Sequence, residues 1–125
     1  MMGEEANGIC DGIRQIAYDL HVYLGIGYLE KFYENSLAHR LEKAGFDVET
    51  QIPIKISGED GFIIGDYVAD MMVNGILVEL KAVTNLIPAH VSQLLNYLTA
   101  TGIKHGLLIY FGSDKFQCKK IAGRH

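Results

Sequence analysis

Apolar residues recur every three or four positions in three separate stretches of the chain, which is the spacing of one face of a helix. The first stretch predicts a helix over residues 4–24, and the second predicts a helix over about residues 28–44. The third begins at Pro88, a residue that suits the first turn of a helix, and stops before Gly102. The sequence therefore predicts three helices, two at the front of the chain and one near its end.

The segment between the second and third helices has the pattern of β-strands. Residues 46–56 alternate in part between apolar and polar side chains, with Pro53 near an edge or a bend. Residues 62–73 and 76–83 are rich in β-favouring side chains and flank Asn74-Gly75. Asn-Gly between two such runs is the strongest short-range signal for a hairpin, because both turn positions need a positive φ. This segment therefore predicts three strands, the last two joined by a tight turn.

Two more strands are predicted after the third helix. Residues 105–111 are continuously apolar, which is typical of a central strand covered on both faces, and residues 116–121 alternate. Because a helix links the strand at 76–83 to the strand at 105–111, these two strands should be parallel neighbours. The order predicts a single mixed α/β (α+β) domain over residues 1–125, with about five strands flanked by helices.

Two acidic residues should lie side by side on the central hairpin. With a two-residue turn at Asn74-Gly75, counting back puts Asp70 opposite Glu79, and Lys81 two residues further along the same face. Like charges that face each other among apolar neighbours destabilise a sheet, and a divalent cation between them would reverse that effect. The hairpin therefore predicts either a metal site with a lysine beside it or a solvated polar face in which Lys81 forms an ordinary salt bridge.

The helices supply further candidate residues. Glu30 falls at the edge of the apolar stripe of the second helix, where a carboxylate either has a partner or reaches water. His90, Gln93 and Tyr97 project together beside the apolar stripe of the third helix. Such a row of hydrogen-bonding side chains can contact a ligand, or it can flank an interface.

Composition narrows the class of protein. Hydrophobic residues make up 49% of the 125 residues and charged residues 21%, which is typical of a globular domain. The sequence has neither an apolar run of the length of a membrane span nor the layout of a signal peptide, so we expect an intracellular, cytoplasmic protein. Cys10 and Cys118 match no zinc or redox spacing and are expected to be free thiols.

The net charge of −4 argues against avid binding to nucleic acid. The acidic residues are concentrated at the front of the chain, however, whereas residues 101–125 contain five basic side chains and one acidic side chain. The C-terminal end could therefore meet a phosphate backbone, or its lysines could simply be solvated at a chain end.

Several short motifs together resemble a known family. Residues 27–33, Gly-Tyr-Leu-Glu-Lys-Phe-Tyr, match the pattern that names the GxxExxY family. Residues 67–70, 78–83 and 90–98 look like the later motifs of that family, and the resemblance covers roughly residues 20–122. The order of these motifs resembles the PD-(D/E)XK nuclease superfamily, in particular its RecB-like branch. Val68 departs from the pattern, because an arginine is expected there.

The resemblance implies a restriction-endonuclease-like core and metal-dependent hydrolysis of phosphodiester bonds in DNA. Asp70, Glu79 and the backbone carbonyl of Leu80 would be ligands of Mg²⁺, or of Mn²⁺ in its place. Glu30 would ligate the ion directly or through water. Lys81 would orient the attacking water or stabilise charge on the phosphate.

The same resemblance implies a substrate-binding role for Gln93, Tyr97, His90 and Tyr33. Two other functions remain open at this stage. One is a nucleic-acid-binding module of the same fold with little or no catalytic activity, and the other is a protein-interaction or oligomerisation domain. A domain this small offers a short footprint to a nucleic acid, so a homodimer is also plausible.

Overall fold

Residues 3–124 form three helices and five strands in the computed structural model, so residues 1, 2 and 125 of the predicted 1–125 domain lie outside the described residues. The elements in chain order are α1 (Glu4–Leu24), α2 (Glu30–Lys43), β1 (Val48–Ser57), β2 (Ile63–Val73), β3 (Ile76–Lys81), α3 (Pro88–Thr101), β4 (His105–Tyr110) and β5 (Gln117–Ala122). The predicted order and type of every element are confirmed, and only the ends differ by one or two residues. None of the helices described is long and apolar enough to cross a membrane.

The five strands form one mixed sheet in the order β1-β2-β3-β4-β5. β3 and β4 are parallel and the other neighbours are antiparallel, so the predicted crossover through α3 is confirmed. α1 and α2 cover one face of the sheet and α3 covers the other. β4 contributes Leu107 and Ile109 to the first face and Leu108 and Tyr110 to the second, which explains its continuously apolar sequence.

The turn between β2 and β3 has the backbone that its sequence predicts. Asn74 and Gly75 have φ angles of 47° and 83°, and Val73 pairs with Ile76 directly across the turn. The side chain of Asn74 also accepts a hydrogen bond from the N–H of Asp47 at 2.7 Å, and the Asn74 N–H donates to the Asp47 carbonyl at 3.0 Å. The turn is therefore tied to the start of β1, which fixes the register of three strands at once.

β1 and β2 change the face that they present to the core at Gln51 and Asp70, which fall between the pairs Thr50–Met71 and Ile52–Ala69 of the register. Met71 packs on the α1–α2 side, whereas Ala69 packs on the α3 side, although residues two apart share a face in a regular strand. Gln51 has a φ of 58°, a left-handed conformation that a residue with a side chain rarely adopts. The alternation used to predict one shared face for Asp70 and Glu79 therefore does not hold through Asp70.

Candidate active site

The candidate site lies where the β2–β3 hairpin stops being an ordinary ladder. Regular pairing ends at Met71 and Val78. Beyond that pair, backbone N–H groups donate to side-chain carboxylates instead of to carbonyls of the opposite strand. The N–H of Asp70 donates to Oε1 of Glu79 at 2.8 Å, and the N–H of Leu80 donates to Oδ2 of Asp70 at 2.7 Å. Each carboxylate is therefore fixed against the opposite strand, and the two acids lie next to each other.

Glu79 is 2% exposed and lies on the α3 side of the sheet. The hydroxyl of Tyr67 donates to its Oε2 at 2.8 Å, and the Tyr67 ring stacks on Tyr97 with centroids 4.1 Å apart. Burial raises the pKa of Glu79, while the hydrogen bonds from the Asp70 N–H and Tyr67 and the charge of Lys81 oppose that rise. Glu79 is therefore a buried acid whose ionised form is supported by fixed donors.

Asp70 is the acid with the strongly perturbed titration. Burial is the main cause that raises its pKa to about 7, followed by the negative charge of Glu79, while the Leu80 N–H opposes the rise. Glu30 also contributes by its charge, and Glu34 does so through a side-chain hydrogen bond with Asp70. Asp70 thus interacts with an acid of the hairpin, Glu79, and with two acids of α2, Glu30 and Glu34.

α2 brings its first turn to the site. Burial raises the pKa of Glu30, and the charge of Lys81 and a hydrogen bond from the Ala82 N–H oppose that rise. Glu30 is the first residue of the helix, where free backbone N–H groups favour an acidic side chain. The structure therefore brings Glu30, Asp70, Glu79 and Lys81 together in one cluster.

Three residues that sequence reasoning missed complete this cluster, namely Glu34, Gln51 and Tyr67. Glu34 is 4% exposed and accepts a hydrogen bond from Nζ of Lys31 at 2.6 Å. Its two carboxylate oxygens also accept hydrogen bonds from Nε2 of Gln51 at 3.0 and 3.1 Å. Glu34 follows Glu30 by one helical turn, so its spacing was a usable signal. The left-handed backbone that aims Gln51 at Glu34 has no signature in the sequence.

The residues predicted on α3 lie beside the cluster. Gln93 hydrogen-bonds to the side chain of Tyr97. Nδ1 of His90 lies 2.7 Å from the hydroxyl of Tyr110, and the pKa of His90 is lowered by burial and then by the charge of Lys81. His90 is therefore close enough to Lys81 for their charges to interact.

Tyr33 lies apart from these residues, in the core. It is 0% exposed, its hydroxyl donates to the Gly25 carbonyl at 2.6 Å, and its ring stacks on Phe111 with centroids 4.7 Å apart. The predicted substrate contact by Tyr33 does not fit this position. Its O–H instead satisfies the backbone of the α1–α2 connection, and its ring fills the space between α2 and the sheet.

The oxygen donors of the cluster suit a hard divalent cation. Within residues 3–124, no group of three or more His, Cys, Asp or Glu side chains is arranged to hold a metal. Mg²⁺ does not need such a cage, because it keeps several waters and is bound through one or two carboxylates. Asp70 and Glu79 supply two such carboxylates, and burial raises the pKa of both, joined at Asp70 by the negative charge of Glu79.

A mixed five-stranded sheet between two helical layers, with paired carboxylates and a lysine at the end of its central hairpin, defines the restriction-endonuclease-like class of fold. The model of the PD-(D/E)XK nuclease superfamily matches residues 7–121. The chain therefore belongs to that superfamily.

Comparison with solved structures supports the fold and nothing more specific. The chain is similar to the solved "Crystal structure of SSO0001", with 21% sequence identity and a TM-score of 0.58. The similarity covers 74% of this chain and 49% of that chain, so this chain spans about half the length of its structural neighbour. A comparison with curated proteins finds no match.

Proposed function

We propose that this chain is a metal-dependent nuclease that hydrolyses phosphodiester bonds in DNA, with Mg²⁺ as its ion and Mn²⁺ as a substitute. The observation that supports this proposal best is the meeting of Asp70, Glu79 and Glu30 beside Lys81, where burial and like charge disfavour ionised acids. Membership of the superfamily supports a nucleic acid as the substrate. The proposal includes three finer points: the substrate is DNA, the chain is a member of the GxxExxY family, and that family lies in the RecB-like branch of the superfamily.

Each residue of the cluster has a role in this proposal. Asp70, Glu79 and the carbonyl of Leu80 hold the ion, and Glu30 ligates it directly or through water. When bound, a divalent cation polarises the scissile phosphate and makes water a stronger nucleophile at neutral pH. Lys81 is half-buried and its charge acts on both Glu30 and Glu79, so its ammonium can orient the attacking water or stabilise charge that develops on the phosphate.

The residues around the cluster hold these groups in place. Tyr67 and the Asp70 N–H fix the two oxygens of Glu79, so this carboxylate needs little reorganisation before it can act. His90, Gln93 and Tyr97 shape the α3 side of the site and contact the nucleic acid.

A catalytically weak nucleic-acid-binding module is the second candidate. Both oxygens of Glu79 already accept hydrogen bonds at 2.8 Å, so an ion would have to share them with these donors. The net charge of −4, and Val68 where an arginine is expected, also favour modest affinity for a phosphate backbone.

A cleavage assay separates these two candidates. The protein is incubated with single- and double-stranded DNA and RNA in Mn²⁺ or Mg²⁺, alongside Asp70→Asn and Lys81→Ala. We expect cleavage that stops in EDTA and falls at least about 100-fold in either variant, since loss of one electrostatic stabiliser typically costs that much. Lys43→Ala, an exposed lysine at the far end of α2, is the matched control and should keep full activity.

Three results would contradict the nuclease proposal. Cleavage that survives Lys81→Ala points to a contaminant or to a different mechanism. Binding of DNA without any cleavage by the wild-type protein supports the second candidate instead. Neither binding nor cleavage, with no uptake of Mn²⁺ in calorimetry, favours a protein-interaction domain.

We also propose that the protein acts as a homodimer, because a domain of 125 residues covers only a short stretch of nucleic acid and two copies would present two sites. Size-exclusion chromatography with light scattering measures the mass directly. A species of 13.9 kDa contradicts the homodimer.

A further inference from the structure

A groove of about 680 Å³ lies between α3 and the end of β1, outside the carboxylate cluster. Its volume falls within the range of about 300–1,000 Å³ that is typical of sites for small molecules. The polar and apolar side chains that line it include Ile56, Ser57, Ser92, Gln93, Asn96 and Tyr97. Gln93 and Asn96 are exposed and three residues apart on α3, so their amides lie on the same side of the helix.

The groove is connected to the candidate active site by a short chain of contacts. Tyr97 lines the groove and stacks on Tyr67 at 4.1 Å, and the Tyr67 hydroxyl donates to Glu79 at 2.8 Å. One pair of stacked rings therefore separates the groove from the acid that is proposed to hold the ion.

The lining of the groove is electrically neutral. None of the described residues that line it is a lysine, arginine, aspartate or glutamate. A phosphate group would find no positive charge there, whereas a nucleobase presents neutral donors and acceptors on its edge. Side-chain amides such as those of Gln93 and Asn96 can form paired hydrogen bonds with a base edge.

An exposed aromatic residue follows Ser57, a lining residue of the groove, in the β1–β2 turn. Phe62 is 68% exposed and belongs to the β1–β2 turn, where the N–H of Gly58 donates to its carbonyl at 2.7 Å. Ile63, the next residue, pairs directly with Ser57 across the hairpin. Exposed aromatic rings are surfaces on which unpaired bases can stack, and Phe62 is such a ring in the turn that follows Ser57.

We propose that this groove binds an unpaired nucleobase of the substrate, so that the preferred substrate is single-stranded nucleic acid or a strand with a displaced base. This inference rests on the proposed function, since it assigns the strand type that the site takes. Bases in a duplex are covered by stacking and pairing, and a duplex is held mainly through its phosphates. A neutral groove on a protein of net charge −4 does not supply those phosphate contacts.

Fluorescence anisotropy tests the groove directly. A labelled short single-stranded oligodeoxynucleotide and the duplex of the same sequence are titrated with Lys81→Ala protein in Mg²⁺, so that the proposed reaction is blocked. We expect the single strand to bind at least about tenfold more tightly than the duplex. Adding Asn96→Ala should weaken single-strand binding by about tenfold, which is the size of a lost paired contact to a base.

Two further variants make the test specific. Phe62→Ala should weaken single-strand binding about fivefold or more, through lost base stacking. Asn35→Ala, an exposed amide on α2 away from the groove, is the matched control and should leave affinity unchanged. Because Asn35 and Asn96 are both exposed on helices, we expect their alanine variants to have equal unfolding midpoints, and measuring these midpoints checks that the two variants fold alike.

Several outcomes overturn the groove proposal. One is duplex binding as tight as single-strand binding, and another is an Asn96→Ala affinity equal to that of Asn35→Ala. A third is a dimer in light scattering that Asn96→Ala converts to a monomer, because the groove would then hold a second copy of the chain.

The failures of the two proposals are distinguishable. Groove-dependent binding without cleavage by the wild-type protein refutes the proposed function and supports the groove. Cleavage of duplex DNA that is unchanged by Asn96→Ala refutes the groove and leaves the nuclease function standing.

Discussion

Replacing Asp70 by asparagine should stabilise the metal-free protein at alkaline pH, although it should also abolish ion binding. Burial and the neighbouring carboxylates raise the pKa of Asp70 from 3.8 to about 7 in the folded state. The folded protein therefore holds this proton more tightly than the unfolded chain does. The resulting stability is fully present below pH 3.8 and is lost as the pH rises through 7.

The size of the effect follows from that difference in pKa. Each unit corresponds to about 1.36 kcal/mol, so ionisation of Asp70 costs the folded state up to about 4 kcal/mol at pH 8. Partial solvation of the site reduces that figure. Asparagine keeps an oxygen that can accept the Leu80 N–H but cannot ionise, so we expect a gain of about 1–3 kcal/mol in the free energy of unfolding.

Urea denaturation in EDTA at pH 5 and at pH 8 measures this gain. It should be larger at pH 8, where wild-type Asp70 is ionised. Asp66→Asn, an exposed aspartate on the same strand, is the matched control and should change neither value. Mg²⁺ at 100 times its Kd should stabilise the wild type by about 2.7 kcal/mol and Asp70→Asn by much less. An Asp70→Asn protein that is no more stable than wild type at pH 8 would refute the reasoning.

Three other substitutions test the supporting contacts. Tyr67→Phe should destabilise the metal-free protein by about 1–3 kcal/mol in urea, because buried Glu79 loses a hydrogen-bond donor, and should weaken Mn²⁺ binding about tenfold in calorimetry; equal affinity contradicts this role. Gln51→Gly should keep or raise the unfolding midpoint, since glycine accepts a φ of 58° freely, yet it should weaken Mn²⁺ binding through the lost amide. Gly112→Ala should destabilise the protein by about 3 kcal/mol or more in urea, because its Cβ would lie 2.2 Å from the Val83 carbonyl oxygen; an unchanged midpoint contradicts that clash.

Most of the fold could be predicted because its signals are local. Asn74-Gly75 fixes a turn of known geometry, Pro88 begins α3, and Gly102 ends it in a left-handed conformation with φ of 77°. The parallel pairing of β3 with β4 follows from a single helical connection between them. None of these inferences depends on contacts between residues far apart in the sequence.

The site could be predicted only in part, because some of its geometry arises from tertiary structure. The hairpin register correctly predicts that Asp70 lies near Glu79, but it misses the change of face at Asp70. Gln51 adopts its strained backbone only because the surrounding sheet and Glu34 hold it there. Tyr33 belongs to a matching motif, yet the motif does not reveal that its hydroxyl turns inward to Gly25.

The change of face at Asp70 explains how residues from the helices on both faces of the sheet contribute to one cluster of acids. On β2, Met71 and Val73 pack on the side of α1 and α2, whereas Ala69 and Tyr67, at the same two-residue spacing, pack on the side of α3. Asp70 therefore lies where both layers reach the same strand, because Glu34 of α2 contributes to the raised pKa of Asp70 and Tyr67 links Glu79 to α3. A strand with unbroken alternation would keep one layer away from these acids, so the irregularity is what makes the cluster possible.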